Sequence, residues 1–244
     1  LEDAYTGAVM GTFAQKTADE HGLTREGMDA FAIESLTRAQ RAIDDGLNQK
    51  EIAPVTIRTR RGEHTVSIDE QPHKANLEKI PQLRPAFAEN GTITPANSSS
   101  ISDGASALLL ASEQAVETHG LTARARIVAH SRNSLAPEAF TLAPIGAAED
   151  VLAKAGWAVS DVDLWEINEA FAMVTMLTMD ALKLDPSCVN VHGGACAQGH
   201  PIGSTGSRII VTLMHALEHY GKKRGVAALC IGGGEATAVA IELV

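Results

Sequence analysis

Two glycine-rich segments near the end of this chain each contain one residue that can transfer protons. His200 follows Gly193-Gly194-Ala195-Cys196-Ala197-Gln198-Gly199, and Cys230 precedes Ile231-Gly232-Gly233-Gly234. Glycine allows positive φ angles and lets a ligand approach the main-chain N–H groups closely. An imidazole titrates near neutral pH, and a thiol can exchange a proton when its surroundings lower its pKa. The two segments therefore predict a site for acid–base chemistry. The structural alternatives are a histidine packed beside a helix start and an inert buried cysteine.

A third segment, Asn168-Glu169-Ala170-Phe171-Ala172, follows a short apolar run. The side-chain amide of Asn168 can anchor a water molecule that faces a reacting oxygen, and Asn is also a favoured helix N-cap. Both roles are open for Asn168 from the residues alone. Glu169 is interpreted as structural.

These three motifs, in this order, resemble the C-terminal two-thirds of a thiolase, an acyl-CoA acetyltransferase. The resemblance implies that His200 generates a thiolate and donates a hydrogen bond to a thioester oxygen. It implies that Cys230 is the acid and base at the α-carbon of the second substrate, with the N–H of Gly232 in an oxyanion hole. It gives Asn168 the role of holding a water molecule at the thioester oxygen.

The same resemblance predicts the substrate-binding residues. Ser99 lies in a segment similar to the family's Asn-x-Ser-Gly stretch, whose serine contacts the pantetheine arm of coenzyme A; Ser100 stands where glycine is usual, and Ser102 where asparagine is common. Met10 matches a position in the acyl pocket, and Phe171 belongs to the motif that begins at Asn168. Coenzyme A thioesters are then substrates, and no other cofactor is expected.

Composition restricts the classes of function. The chain has 244 residues and a net charge of −10, which argues against non-specific nucleic-acid binding. It contains no apolar run of about eighteen residues, so we expect no transmembrane helix. Three cysteines without a CxxC pair predict neither a disulfide framework nor a zinc site, and no metal site is expected; a reducing, cytoplasmic setting fits best. The first residues lack a signal-peptide pattern and read as the interior of a longer chain.

Hydrophobic patterning predicts alternating helices and strands, and therefore an α/β layered fold. The resemblance adds a thiolase-like second half with a mixed five-stranded sheet covered by helices, plus an α+β loop domain. Helices are predicted at 6–21, 25–46, 112–119, 146–156, 170–182 and 204–220. Strands are predicted at 55–58, 64–68, 105–111, 127–129, 162–167, 189–191, 225–231 and 236–243.

The resemblance predicts three parts: a substrate-covering loop domain over 1–102, a strand and helix of an absent first half over 103–122, and the C-terminal half over 123–244. Strand 105–111 should then lack sheet neighbours. Thiolases carry a nucleophilic cysteine in the first half, and none of the three cysteines here matches that motif. The intact protein is expected to make or cleave 3-ketoacyl-CoA as a homo-oligomer, whereas this chain alone is expected to be inactive.

Two further hypotheses remain. In the first, the chain is a non-catalytic thiolase-like subunit or binding module, and a partner supplies the N-terminal half in trans. Alternatively it belongs to another class of condensing enzyme, the ketoacyl synthases. The Cys-Ile-Gly-Gly-Gly segment weighs against the second, because those enzymes lack a cysteine acid/base there.

Overall fold

A computed structural model describes residues 1–244 of the chain. The first part is helical, with a small hairpin. Its elements are α1 (Met10–Glu20), α2 (Arg25–Asp44), β1 (Val55–Thr59), β2 (Gly62–Val66), α3 (Glu70–Lys74) and α4 (Glu113–His119). In the second part, strands and helices alternate. Its elements are β3 (Ala125–Ser134), α5 (Ala143–Ala155), β4 (Leu164–Ile167), α6 (Ala172–Leu182), α7 (Ala195–Gln198), α8 (Thr205–His219), β5 (Arg224–Ile231) and β6 (Glu235–Leu243).

Helix α2 is the long helix of the first part, and its sequence explains where it begins and what it buries. The hydroxyl of Thr24 accepts a hydrogen bond from the Gly27 N–H and caps the N-terminus. Met28, Leu36 and Ala39 are buried on one face, as their spacing predicts. That face packs against α7 and α6, so α2 lies over the end of the sheet where the motif residues are found.

The second part forms one mixed sheet between helices. Its strand order is β3-β6-β5-β4, in which β4 and β5 are parallel and the other neighbours antiparallel. Alternate residues along each strand face opposite sides. Trp165 and Ile167 pack with α5 residues on one side, whereas Leu164 packs with Leu213 and Leu217 of α8 on the other. The carboxyl ends of β4 and β5 therefore meet at one edge of the sheet. Asn168 directly follows β4, and Cys230 lies next to the last residue of β5.

The prediction of a five-stranded sheet is wrong in its strand count. The sheet has four strands, and the predicted strand 189–191 contributes only one isolated bridge, between Val189 and Trp165. Asn190 adopts a left-handed backbone with φ of 46°, which ends the extended conformation. Its side chain bonds both the N–H and the C=O of Ile167, at 2.8 Å each, in place of a continued ladder.

The prediction of a strand at 105–111 is wrong: these residues have no sheet neighbour with which to form a ladder. The segment passes beside α8, where the Ser106 hydroxyl contacts the hydroxyls of Ser204 and Ser207 at 2.7 and 2.6 Å. Leu109 is 86% exposed and Leu110 is 71% exposed. The division of the chain at residues 102 and 122 stays a prediction. None of the helices is both long and apolar enough to span a bilayer.

Candidate active site

One cleft of about 560 Å³ brings together six of the seven residues singled out from the sequence. These are Met10, Ser99, Phe171, His200, Cys230 and Gly232. They come from α1, the 97–102 loop, the start of α6, the turn before α8 and the end of β5. The seventh, Asn168, is 1% exposed and lies behind His200. The sequence-predicted residues thus converge in space.

The turn that carries His200 is fixed on both sides. Its N–H donates to the C=O of Ser100 at 3.0 Å, and a parallel bridge joins it to Ile101. Gly199 has φ of 92° and packs directly against the Ser102 side chain, so a Cβ there would be both strained and blocked. Gln71 bonds the Ser102 hydroxyl and accepts from Ser100, which holds this loop against the turn.

The protonation state of His200 follows from its neighbours. Its Nδ1 lies 2.6 Å from Thr205 Oγ1, and that hydroxyl donates to the C=O of Pro201 at 3.0 Å. Thr205 Oγ1 therefore accepts from an Nδ1–H, which leaves the lone pair on Nε2. Burial lowers the pKa of His200, with a smaller contribution from the positive charge of Arg208. A neutral imidazole with a free Nε2 is suited to act as a base.

Asn168 is placed against that nitrogen. Its Nδ2 lies 3.4 Å from His200 Nε2, and its Oδ1 is buried with no hydrogen-bond partner in the protein. Helix α6 begins at Ala172 with Phe171 in the N-cap position, so the N-cap alternative for Asn168 is wrong. A buried, unpaired carbonyl oxygen is a group that a water molecule or ligand satisfies.

Cys230 is the last residue but one of β5 and lies in apolar surroundings. It packs in a cluster with Ala14, Met28 and Phe140, and burial raises the pKa of its thiol to about 12. The condition named for a reactive thiol, surroundings that lower its pKa, is not met here, because no cation or helix N-terminus offsets the loss of water. The residue is therefore a protonated thiol at neutral pH and a proton donor.

The turn after Cys230 approaches other backbone closely. Gly233 and Gly234 each have φ of 90°, and Gly234 packs onto the carbonyl oxygens of Leu135 and Ala136. Only glycine fits the second position without displacing those carbonyls. The turn brings Gly232 to the cleft wall, where a Cβ at this residue would lie 3.9 Å from the Met10 side chain.

Aromatic rings form the opposite wall. Phe171 makes edge-to-face contacts with Phe87 at 6.1 Å and with Phe140 at 6.3 Å between ring centroids. Phe87 lies directly over Gly11, where no Cβ would fit. Ser99 is fixed beside them, since its N–H and its hydroxyl both donate to the C=O of Ala170, at 3.0 and 2.9 Å. This wall is suited to an apolar chain with a polar group at one end.

The other two cysteines lie outside the cleft. Cys188 donates to the C=O of Asp185, and Cys196 donates to the C=O of Glu169. Burial raises the pKa of both thiols. Neither is placed to attack a ligand in the cleft, as the sequence comparison with the family motif predicts.

Sequence reasoning missed Thr205, Phe87, Phe140 and Gln71. Thr205 follows His200 by five residues, at the start of the helix predicted at 204–220, and its nearness to the His200-Pro201 turn is the one signal that the sequence offers. Phe87 and Phe140 lie in loop stretches without periodicity, so their place in the cleft depends on the tertiary fold.

Comparison with known families identifies the fold. The family model described as "Thiolase, C-terminal domain" matches residues 121–243, and that described as "Thiolase, N-terminal domain" matches residues 1–114. The chain belongs to the thiolase family. Its α/β architecture is the thiolase fold, since a crystal structure of the Bacillus anthracis acetyl-CoA acetyltransferase superposes on the whole chain with a TM-score of 0.97 at 40% identity.

The similar proteins are named acetyl-CoA acetyltransferases or thiolases. A probable acetyl-CoA acetyltransferase of Dictyostelium discoideum is 46% identical over 99% of this chain, and the cytosolic acetyl-CoA acetyltransferase of Mus musculus is 45% identical over 99%. A thiolase from Ascaris suum, solved in complex with coenzyme A, gives a TM-score of 0.90 at 39% identity. The chain spans 59% and 62% of the two curated relatives and 62% of the Ascaris protein.

Proposed function

We propose that these 244 residues supply the acid–base half of an acyl-CoA acetyltransferase, which makes or cleaves 3-ketoacyl-CoA. The observation that carries the proposal is that His200 and Cys230 line one cleft, with Asn168 behind His200 and its Nδ2 3.4 Å from the unprotonated Nε2 of the imidazole. Family membership and the names of the relatives support this class of reaction.

In the cleavage direction, His200 Nε2 removes the proton of a nucleophilic thiol, and the thiolate attacks the 3-keto carbon of the substrate. The resulting Nε2–H and a water molecule held by Asn168 stabilise oxygen charge at the thioester. The C2–C3 bond breaks, and the thiol of Cys230 protonates C2, which releases acetyl-CoA and leaves the rest of the substrate as an acyl-enzyme. The Cys230 thiolate then takes the proton of a coenzyme A thiol, and the coenzyme A thiolate attacks the acyl-enzyme. The thioester bond to the nucleophile breaks, and the leaving thiolate takes its proton back from His200 Nε2.

A high pKa suits Cys230 to this sequence. Its thiol is protonated before the bond breaks, and the thiolate exists only between the protonation of C2 and the proton transfer from coenzyme A. Gly232 lies at the wall of the cleft, and its N–H is proposed as a donor to the oxyanion that forms at C3 when the thiolate attacks. Ser99 and Phe171 are proposed to contact the pantetheine arm, and Met10 the acyl group.

The nucleophilic thiol is proposed to come from polypeptide outside these 244 residues, because Cys188 and Cys196 lie outside the cleft. A cavity of about 750 Å³ beside α8 supports this. It lies between the segment 107–111, residues of α8 and the exposed face of β3, and most of its lining residues are apolar. Exposed apolar residues grouped in this way are typical of a contact with other polypeptide.

We propose that the first α/β half of a thiolase covers this surface. It is either part of the same protein or a separate subunit; the second case corresponds to a thiolase-like subunit that is inactive without its partner. The relatives support a first half, since each is longer than this chain. Coenzyme A binding in the Ascaris relative supports coenzyme A and acyl-CoA as ligands. A cytoplasmic location is proposed from the "cytosolic" mouse and rat relatives, and a homo-oligomer from the family resemblance.

The test is complementation. The 244-residue chain is incubated with acetoacetyl-CoA and coenzyme A, alone and with the part of the Bacillus anthracis acetyltransferase that it does not match. We expect acetyl-CoA only in the mixture, with loss of at least about 100-fold in His200→Ala. The exposed Glu89→Gln variant is the control. If the chain alone forms acetyl-CoA and His200→Ala abolishes it, the proposal that the nucleophile lies outside the chain is wrong. If His200→Ala leaves the activity of the mixture unchanged, the catalytic role of His200 is wrong.

A further inference from the structure

Glu169 lies directly after Asn168 and takes no part in the proposed chemistry, yet its carboxyl group is almost fully buried. The residue is 1% exposed. Burial raises the pKa of Glu169, and hydrogen bonds from Asn190, Ser35 and Cys196 act in the opposite direction. A buried carboxyl is costly unless its oxygens are paired, so this arrangement calls for a reason.

The three donors come from three different parts of the chain. Ser35 Oγ, on α2, donates to Oε2 at 2.7 Å, and the backbone N–H of Cys196 donates to the same oxygen at 3.1 Å. Asn190 Nδ2 donates to Oε1 at 2.8 Å. The carboxyl of Glu169 therefore joins α2, the residue that ends the β4 ladder and the start of α7 at one point.

The turn before His200 is shaped to accept this carboxyl. Gly194 packs directly on the Glu169 carboxyl, and its N–H donates to Ser35 Oγ at 2.9 Å. Gly193 has φ of 78°, and a Cβ there would lie 2.5 Å from the Ser35 carbonyl oxygen. No side chain could be added at either glycine without displacing Glu169 or α2.

We propose that Glu169 is a positioning residue, which couples helix α2 to the turn that carries His200. The path is short: the residues held by Glu169 and Ser35 start α7, and α7 leads through Gly199 to His200. On the other side, Glu169 is bonded in sequence to Asn168, whose amide contacts His200. A displacement of α2 would thus move both groups. The proposal rests on the proposed function of His200.

Nuclear magnetic resonance of the full chain, labelled with ¹⁵N-histidine, tests the coupling without turnover. His200→Gln assigns the His200 imidazole signal. Glu169→Gln keeps the size of the side chain but loses one acceptor oxygen. Ser35→Ala removes the donor to Glu169 and the acceptor of the Gly194 N–H. The matched control is Ser131→Ala. Like Ser35, Ser131 is 3% exposed and donates one short hydrogen bond, to Ala147 at 2.6 Å, but on the α5 side of the sheet.

We expect the His200 imidazole signal to shift, and its pKa to rise, in Glu169→Gln and in Ser35→Ala, with no change in Ser131→Ala. An unchanged His200 signal in the first two variants would overturn the proposal, and so would an equal change in the control. If Glu169→Gln does not fold, Ser35→Ala decides. In the complemented enzyme we expect kcat to fall about tenfold at unchanged KM. If the wild-type mixture is inactive, the proposed function fails, whereas the resonance experiment still decides the coupling.

Discussion

At the scale of single residues, the hydroxyl of Thr205 determines which nitrogen of His200 is free. It is fully buried and donates to the Pro201 carbonyl, so it can only accept from His200 Nδ1–H. A hydrogen bond of this kind contributes about 1 kcal/mol to stability, but it also selects the tautomer. The chemical consequence of losing it should therefore exceed the structural one.

Replacing Thr205 with valine tests this. We expect a mixture of His200 tautomers, seen in the long-range ¹⁵N signals of the imidazole, and a loss of stability of about 1–3 kcal/mol. Thr178→Val is the matched control, because Thr178 is also fully buried and donates to a carbonyl, that of Val174, at 2.8 Å. If His200 keeps a single Nδ1–H tautomer in Thr205→Val, the Thr205 hydroxyl is not the group that selects the tautomer.

At the scale of secondary-structure elements, Glu166 of β4 faces Arg208 of α8 inside the protein. The two side chains lie 3.8 Å apart, and Glu166 is 2% exposed. Burial raises the pKa of Glu166 to about 8, against a smaller opposite effect of Arg208. The folded state therefore holds this proton more tightly than the unfolded state, whose pKa is near 4.5. The contribution of Glu166 to stability is greatest below pH 4.5 and is lost as the pH rises towards 8.

Glu166→Gln removes that dependence. We expect the variant to gain stability relative to the wild type as the pH rises from about 5 to about 8, measured by urea unfolding at both values. Glu89→Gln, at an exposed position, controls for the loss of one charge. A difference in unfolding free energy that stays constant between the two pH values would show that Glu166 is not a protonated buried group.

The same elements show how far the sequence could predict the structure. The cap at Thr24 and the spacing of Met28 and Leu36 are local, and α2 begins and packs as they predict. The strand expected at 189–191 depends on whether Asn190 continues the ladder, and its left-handed backbone ends it. A strand needs a neighbour as well as a suitable sequence, and no neighbour is present for 105–111.

The candidate site divides in the same way. His200, Cys230 and Asn168 were found because each lies in a motif whose residue types are visible locally. The pKa of Cys230 was not predictable, because the residues that exclude water from its thiol come from α1, α2 and the 137–142 turn. The positions of Phe87 and Thr205 likewise depend on which segments the fold brings together.

At the scale of the whole molecule, the open surface beside α8 should control assembly. Leu109 and Leu110 are 86% and 71% exposed, so they contribute little to folding of the chain. Burying a leucine contributes about 1.5–3 kcal/mol, so two leucines covered by a first half would contribute several kcal/mol to its binding. Substitution of both should weaken complementation while leaving the fold intact.

The Leu109→Ser/Leu110→Ser double variant separates these effects. We expect its thermal midpoint to stay close to that of the wild type, and its affinity for the complementing half, measured by titration of activity, to fall by at least about tenfold. Ile68→Ser is the control, because Ile68 is 55% exposed and lies outside the cavity. Unchanged affinity would place the partner elsewhere on the molecule. A large drop in thermal midpoint would instead show that the segment 107–111 packs against its own chain, since only side chains that lose water on folding stabilise the folded state.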